Sequence, residues 1–473
     1  MSKIQTRTER DSLGTMEVPA DAYYGPETAR AVQNFPISGT KPHPEFIRAT
    51  VLVKKAAVEA NLALGQLDKK IGGAIVAGSD EILQGKFLDQ FVVDVFQAGA
   101  GTSHNMNANE VLANRAIEIL GGRKGDYKLV SPHDHVNMGQ STNDTYPTSI
   151  RVACTLLGKP LIHALDSLKN ALEEKAKEFD RVVKSGRTHL QDAGAIRLGQ
   201  EFAAFATMIA DDNRRIQHAL EKILELNLGG TAVGTGLNAD PKYVELAVEN
   251  LSRYTGFNFR VARHYAALMQ SMADFVDLSS ALKTLCVDLT KIANDIRLMS
   301  SGPVTGIGEI ILPAVQPGSS IMPGKINPVI AEMLNMVCFE VMGNDLTVQM
   351  AAQAGQLELN VMMPVIACDL TQSMVILTNA IGTFTERLVK GIEANEERCR
   401  TLLEKSTGIA LVLNPFIGYD KAAEVAKEAL ARDVPLRQVV LEKGLLSEKE
   451  LDEILDPYAM TTPGVHGKKR KAE

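Results

Sequence analysis

The chain has 473 residues, of which 45% are hydrophobic and 23% charged, and its formal net charge is −7. This length is sufficient for several domains or for one large elongated domain. An acidic chain has no overall positive field that would recruit nucleic acid or a membrane surface, so neither is expected as a partner. A small anionic ligand would therefore have to be bound by locally placed charge.

The cysteine pattern and the N-terminal residues favour a cytoplasmic protein. An odd, dispersed set of cysteines is typical of reduced thiols, and the five here are Cys154, Cys286, Cys338, Cys368 and Cys399. Residues 1–10 are polar and lack the apolar core of a secretory signal. No uninterrupted apolar run approaches the roughly 20 residues that span a bilayer. The basic residues 468–471 are interpreted as a solvated terminus, with a targeting patch as the alternative.

The chain divides into three predicted parts. Residues 1–140 mix short helices with turns, and segments 47–64 and 72–84 have the apolar spacing of helices. Residues 141–396 are predicted to form a central domain of long helices. Residues 397–473 return to short helices and are predicted to form a small C-terminal domain.

The central part is dominated by apolar residues that recur at steps of three and four. From residue 262 to 299 the pattern predicts one long helix, and it repeats over residues 161–179 and 202–223. About five such helices are expected per chain, and a bundle is the simplest way to pack them. Burying their whole length would require other subunits.

Three polar segments adjoin these helices. They are residues 101–107, residues 135–144 and residues 186–192, called here the first, second and third polar segments. In the first, a Gly-Thr-Ser turn before a helix expected near Asn105 could bind an anion through backbone N–H groups. Capping of that helix by Thr102 or Ser103 explains it equally well. Three such segments, each beside a long helix, favour convergence in space.

A fourth segment, residues 318–328, stands out between two predicted helices. It lies in a stretch dense in Gly and Pro, which predicts a long irregular loop. Long loops in compact helical domains are often lids or binding loops. This one, called here the serine loop, carries two serines, a lysine and an asparagine. It could bring a hydroxyl and a cation onto an anion, or it could be a structural crossover.

The serine loop resembles the signature loop of the aspartase/fumarase superfamily. The matching residues are Gly318, Ser319, Ser320, Met322, Pro323, Lys325 and Asn327, and the three polar segments resemble the other shared regions of that superfamily. The resemblance extends over nearly the whole chain. It implies a mainly all-α, three-domain fold whose central long-helix bundles form a 20-helix core in a homotetramer. It also implies that three chains contribute to each active site.

The resemblance further implies the chemistry, an anti elimination of a group beta to a carboxylate that yields fumarate. Ser319 would be the general base, with His189 paired to Glu332. Lys325 and Asn327 would bind the α-carboxylate. The other implied substrate-binding residues are Thr102, Ser141, Thr142, Asn143, Thr188, Ser320 and Met322. No cofactor is implied. His133, Asp134 and His135 lack the neighbouring ligands of a metal site, so no metal is expected.

Several residues favour the aspartase branch of the superfamily. Thr142 stands where fumarases have Ser, and the sequence of residues 23–25, Tyr-Tyr-Gly, lacks the Trp that fumarases place before the Gly. Ser131 replaces the leading histidine of a second anion site in fumarases. The resemblance therefore implies elimination of ammonia from L-aspartate, with class II fumarase as the alternative.

A non-catalytic helical scaffold is a third possibility. It would be expected to lose loop residues, yet Ser319, Lys325 and Asn327 are all present. Two positions depart from the superfamily pattern, Gly139 and Val315. These departures bear on kinetic behaviour and leave the reaction class unchanged.

Overall fold

The computed structural model describes residues 5–467, so the basic residues 468–471 lie outside the described part of the chain. The described chain is mainly helical, which confirms the predicted fold class. The α-helices are α1 Pro26–Asn34, α2 Pro44–Ala63, α3 Lys69–Leu83, α4 Thr102–Ile119, α5 Thr142–Glu178, α6 Leu198–Lys222, α7 Pro241–Thr255, α8 Tyr265–Gln270, α9 Ala273–Met299, α10 Val329–Gln353, α11 Met363–Arg387, α12 Glu396–Lys405, α13 Asn414–Ile417, α14 Tyr419–Arg432, α15 Leu436–Glu442 and α16 Glu448–Ile454.

Short strands form four two-stranded ladders among the described residues. Three of the ladders are antiparallel, and the β5–β6 ladder is parallel. The strands are β1 Thr6–Asp11, β2 Gly14–Pro19, β3 Val183–Thr188, β4 Gln191–Arg197, β5 Glu225–Leu226, β6 Arg260–Val261, β7 Ile310–Ile311 and β8 Glu393–Ala394.

The chain forms two compact units. Unit 1 contains residues 1–163, 213–286 and 337–378, and unit 2 contains residues 164–212, 287–336 and 379–473. Each boundary between the two units falls inside a long helix. The predicted three-part division places no boundary inside a long helix. The division at residues 140 and 396 stays a prediction.

The five predicted long helices are confirmed. Helices α5, α6, α9, α10 and α11 have 37, 25, 27, 25 and 25 residues. The prediction of one helix from residue 262 to 299 was wrong in its first part. Helix α8 ends at Gln270, and Ser271 is extended, with φ −98° and ψ 126°. The Ser271 hydroxyl accepts a hydrogen bond at 3.3 Å from the Ala273 N–H, the first N–H of α9.

Unit 1 has a continuous apolar core around α2, α3 and α4, in which Val51, Ile75 and Leu112 are fully buried. The apolar side chains of α9 in this unit, such as Phe275 and Leu282, are also buried. Arg151 of α5 lies among them: its Nη2 donates to Asp274 Oδ2 at 2.8 Å, and its guanidinium lies 5.1 Å from the Phe275 ring centroid. A buried charge of this kind requires such a partner.

Unit 2 contains the β3–β4 hairpin and the short C-terminal helices. Its smaller apolar core includes Leu403, Leu413, Val425 and Val439, which come from α12, α14, α15 and the turn between them. The hairpin packs against the same region, where Ser185 Oγ donates to Ser406 Oγ at 3.1 Å. This core fixes one face of the hairpin and leaves its tip free to carry functional side chains.

Among the described residues, one helical stretch, Met363–Gly391, is long and apolar enough to cross a membrane by length and composition alone. Half of its apolar window (50%) is buried within the chain. The core helix of a soluble protein passes the same test, so this finding is weak evidence for a membrane span.

Gly101, which precedes α4, makes a sharp test of the packing in unit 1. Its φ is +85°, and a Cβ there would lie 2.1 Å from ring carbons of Tyr146. Gly121 has a similar φ of +82° but no atom within 4 Å of its added Cβ. We expect Gly121→Ala to cost only the left-handed strain, about 1–2 kcal/mol. Gly101→Ala should cost about 1–3 kcal/mol more because of the clash. Urea denaturation followed by circular dichroism measures both, and equal costs would contradict the close packing of Gly101 against Tyr146.

Candidate active site

The first polar segment forms the start of α4. The helix begins at Thr102, and its N-cap residue, Gly101, makes no side-chain capping bond. The alternative that Thr102 or Ser103 caps the helix is therefore wrong, as is the predicted start near Asn105. The Thr102 side chain is exposed. The His104 N–H of the first turn donates to Gln97 Oε1 at 2.8 Å. The positive end of the helix dipole lies beside Thr102.

The first and second polar segments meet in unit 1. Asn105 Nδ2 of α4 donates to Thr142 Oγ1 at 3.0 Å, and Thr145 Oγ1 donates to Asn105 Oδ1 at 3.3 Å. Asn143 Nδ2 donates to the Ala232 carbonyl at 2.8 Å. Ser141 is half-buried, as are Thr142 and Asn143. The predicted convergence of these two segments is thus observed within one chain.

Two buried ionisable residues, Lys54 and Asp144, hold the second polar segment in place through hydrogen bonds. Lys54 Nζ donates to Asn137 Oδ1 and Gln140 Oε1, both at 2.9 Å. Burial lowers the pKa of Lys54 to about 7. Asp144 accepts from the backbone N–H groups of Ser141, Gly229 and Thr231 at 2.9–3.0 Å. Burial raises the pKa of Asp144 to about 7, against the lowering effect of those donors.

Sequence reasoning did not single out Lys54 or Asp144 as supporting residues. A signal was present for the lysine, which lies in a run of α2 where Val51, Val53 and Ala56 are all buried. A lysine on the buried face of a helix requires hydrogen-bond acceptors. Its acceptors are more than eighty residues away in sequence, and the pattern within α2 does not reveal them.

The third polar segment is the tip of the β3–β4 hairpin in unit 2. Thr188 pairs with Gln191, which leaves His189 and Leu190 as a two-residue turn. Both turn residues have positive φ, 56° and 58°. Two-residue hairpin turns of this kind usually employ Asn and Gly, because other residues are strained there. Thr188 and His189 are exposed at this tip.

The serine loop in unit 2 is closed by its own hydrogen bonds. The Gly318 N–H donates to the Lys325 carbonyl at 2.8 Å, and Asn327 Nδ2 donates to the Gly318 carbonyl at 2.7 Å. Asn327 does not cap the next helix, because α10 begins at Val329 and the Asn327 side chain bonds to the loop. Ser320 and Lys325 are exposed, as is Met322.

Ser319 lies at a turn whose backbone N–H groups donate to its hydroxyl oxygen. Its Oγ accepts from the Met322 N–H at 2.8 Å and from the Ile321 N–H at 3.2 Å. Hydrogen bonds to the charged form of a group lower its pKa. Two backbone donors therefore act on the hydroxyl that the superfamily resemblance implies to be the base, and they come from the loop itself.

The described residues of unit 2 contain no hydrogen bond or ion pair between His189 and Glu332, so the predicted pair is not formed within one chain. Thr102 and residues 141–143 belong to unit 1, whereas residues 188–189 and the serine loop belong to unit 2. The catalytic and substrate-binding roles of these residues stay predictions.

Two histidines at the start of the second polar segment, His135 within it and His133 just before it, have protein partners. His133 Nε2 lies 2.8 Å from Glu27 Oε1, and this hydrogen bond raises the pKa of His133. His135 Nδ1 accepts from the Ser131 N–H at 2.9 Å. Across the described residues, no group of three or more His, Cys, Asp or Glu side chains is placed to hold a metal ion.

With this geometry established, the chain can be placed among known proteins. Residues 14–343 match the family described as Lyase, and residues 409–462 match the family described as Fumarase C C-terminus. The chain belongs to this lyase family, and the resemblance to the aspartase/fumarase superfamily is confirmed.

Two individual relatives of the chain are named aspartate ammonia-lyase. The chain is 51% identical over 463 residues to an aspartate ammonia-lyase of a Bacillus species, which covers 98% of this chain and 99% of the relative. It is 49% identical to the aspartate ammonia-lyase of Escherichia coli strain K12, with 98% of each chain covered.

Two solved structures share the fold. A fumarate lyase:delta crystallin from Brucella melitensis bound to cobalt has a TM-score of 0.93 and 50% identity, covering 97% of this chain and 100% of that one. A recombinant class II fumarase from Schistosoma mansoni also has a TM-score of 0.93, at 36% identity, covering 97% of this chain and 99% of that one.

Proposed function

We propose that this protein is a carbon–nitrogen lyase that converts L-aspartate reversibly into fumarate and ammonia. The observation that carries the proposal is its similarity, at about half identity over nearly the whole chain, to relatives named aspartate ammonia-lyase. The Ser319 hydroxyl, held by two backbone N–H groups in an exposed loop beside Lys325, supports the same reaction.

The difficult step is removal of a proton from Cβ of aspartate. That proton is weakly acidic, and its loss places a second negative charge on the adjacent β-carboxylate. The Ser319 alkoxide accepts the proton, and the electron pair of the C–H bond forms a double bond to the carboxylate carbon. This gives an aci-carboxylate. Its collapse forms the Cα–Cβ double bond and breaks the C–N bond on the opposite face, releasing ammonia.

The residues around this substrate divide by charge. Lys325 supplies a cation for the α-carboxylate, with Asn327 beside it. Fixed donors aimed at a developing charge lower the barrier most. We therefore assign Thr102, together with the N-terminus of α4, to the binding of the β-carboxylate. Ser141, Thr142 and Ser320 are assigned to the same group. We assign Asn143, Thr188 and His189 to the binding of the amino group. Glu332 orients His189. Met322 is assigned to the contact of the serine loop with the substrate.

We infer that the working form is a homotetramer with a 20-helix core, in which three chains contribute to each active site. Helix α10 supports a helix-to-helix interface. Phe339, Leu346 and Met350 on α10 are 58–59% exposed, and Gly343 lies between them at the same spacing of three and four. This is the spacing of a coiled-coil face. We infer that this exposed face of α10 packs against the same face of a second copy of the chain, as in a symmetric interface.

The proposed setting is the cytoplasm, with no nucleic-acid or membrane partner and no cofactor. The net charge of −7 disfavours a polyanionic partner. The five cysteines are dispersed along the chain, and four of them are buried. Dispersed cysteines are typical of a reducing compartment.

The test is the absorbance of fumarate, followed with L-aspartate and with L-malate as separate substrates. We expect fumarate from aspartate and barely any from malate. Faster turnover of malate than of aspartate would support the fumarase alternative. The similarity to the Schistosoma mansoni fumarase is the reason for testing this alternative. Turnover of neither substrate would support a non-catalytic scaffold.

Replacing Lys325 tests the assignment of the α-carboxylate. Lys325→Ala removes an exposed cation from the serine loop, so the fold should be unchanged. We expect KM to rise by about 10–100-fold and kcat to fall as well, because a misplaced substrate loses rate. Lys421→Ala, which removes an exposed lysine from α14, is the matched control. An unchanged kcat/KM in the Lys325 variant would remove Lys325 from the site.

A further inference from the structure

Arg187 and Glu309 form an ion pair between two functional segments of unit 2. Arg187 directly precedes Thr188 and His189 in the hairpin, and Glu309 lies ten residues before Ser319. Arg187 Nη1 donates to both Glu309 carboxylate oxygens, at 2.9 and 3.1 Å. The Glu309 side chain is 0% exposed.

A second cation completes the cluster. Lys184 Nζ lies 3.1 Å from Glu309 Oε2 and 2.9 Å from Glu201 Oε1, and its side chain is 3% exposed. Two cations and two carboxylates thus balance each other in a poorly solvated place. Buried ion pairs hold only where their geometry is well satisfied, and removing one partner leaves an uncompensated charge. The cluster therefore fixes the spacing between the hairpin and residue 309.

The backbone around Glu309 is fixed as well. The Glu309 N–H donates to the Met299 carbonyl at 2.9 Å, and the Glu309 carbonyl accepts from the Asn395 N–H at 2.9 Å. Arg398 donates to the carbonyls of Ile307 and Gly306 at 2.9 and 2.8 Å. Strand β7, which follows directly, pairs with β8.

The chain beyond this point is held differently. Residues 314–317 and 320–326 are exposed. The hydrogen bonds of the serine loop described above join the loop to itself. Glu309 therefore lies in the last well-anchored stretch before the segment that carries Ser319.

The hairpin tip also needs an external anchor. His189 and Leu190 both hold positive φ. A strained non-glycine turn persists only where its surroundings determine it. Arg187 directly precedes Thr188, the residue that flanks the turn. Its ion pair with Glu309 connects the hairpin tip to the same anchored stretch.

We propose that Arg187 and Glu309 are a positioning pair for the lyase reaction, which together hold the Thr188–His189 tip and the root of the serine loop in the productive arrangement. Neither is assigned a contact with substrate. The inference rests on the proposed function only in that the tip and the loop belong to active sites. A misplacement of about 1 Å far from the chemistry can cost on the order of 100-fold in rate.

The test compares three variants: Arg187→Met, Glu309→Gln, and the double variant that carries both changes. Each single change leaves a buried charge without its main partner, so loss of folding is possible there. The double variant removes both charges and should fold with a thermal midpoint near that of the unaltered protein. We expect its kcat to fall at least 10-fold while KM changes less than about threefold, because substrate contacts remain. Arg187→Lys, which keeps the charge but loses the planar fork, should restore folding and only part of kcat.

Asp180→Asn is the matched control. Asp180 Oδ1 accepts from Arg197 Nη1 at 2.6 Å, at the opposite end of the same hairpin. This change should lower the thermal midpoint without changing kcat. A purely structural role for Arg187 and Glu309 predicts the same pattern for their double variant.

Hydrogen exchange gives a readout that does not depend on the substrate. In the double variant, amides of residues 306–311 and 187–192 should exchange at least 10-fold faster, whereas Asp180→Asn should leave residues 306–311 unchanged. Rates are compared with whichever substrate the unaltered protein turns over, so a wrong substrate assignment does not affect the result. A folded double variant with kcat within twofold of the unaltered protein, or with unchanged exchange at residues 306–311, would overturn the proposal.

Discussion

Ser319→Ala is expected to lower kcat by about 10²–10⁴-fold, the range that general acid–base groups contribute. The substitution removes the hydroxyl proposed to accept the Cβ proton. It should leave the fold unchanged, because the two hydrogen bonds that Ser319 Oγ accepts both come from within its own loop.

Gln316→Ala is the matched control, since Gln316 is an exposed residue of the same stretch with no assigned role. Steady-state kinetics with L-aspartate and the thermal midpoint are measured for both variants. Near-normal kcat in a folded Ser319→Ala protein would mean that another group takes the proton.

Mixing two inactive variants is the second large expected effect. In the proposed tetramer, Ser319 and His189 of one site come from different chains. Ser319→Ala and His189→Ala chains, refolded together in equal amounts, should then give some sites with neither lesion. Random assembly predicts recovery of roughly a quarter of the activity of the unaltered protein, from the symmetry of such an oligomer.

Each variant refolded alone is the control for this experiment, together with size-exclusion chromatography of the mixture. Activity that never exceeds that of either variant alone would contradict shared sites. An active monomer would contradict the tetramer itself.

Much of the fold could be predicted from local patterns. The apolar spacing located three of the long helices and predicted that the chain has about five, because a helix must bury one face along its whole length. The serine loop was predicted from its Gly and Pro content. The break at Ser271 and Met272 was missed, because apolar spacing continues through these two residues, which separate α8 from α9.

The site was predictable only in part. Residue types and the superfamily resemblance picked out the four segments, and the structure brings the first two together through Asn105 and Thr142. The partners of the supporting groups were not predictable, because Lys54 and Glu309 bond to residues far away in sequence. Hydrogen-bond partners at such distances depend on the tertiary fold.

The reverse reaction in heavy water tests the anti elimination of ammonia. Fumarate and ammonium are incubated with the protein in D₂O, and the products are identified by NMR. We expect aspartate carrying one deuterium at Cβ as a single diastereomer, because ammonia and the solvent deuteron add to opposite faces. Malate as the main product, or aspartate with deuterium in both Cβ positions, would contradict this expectation.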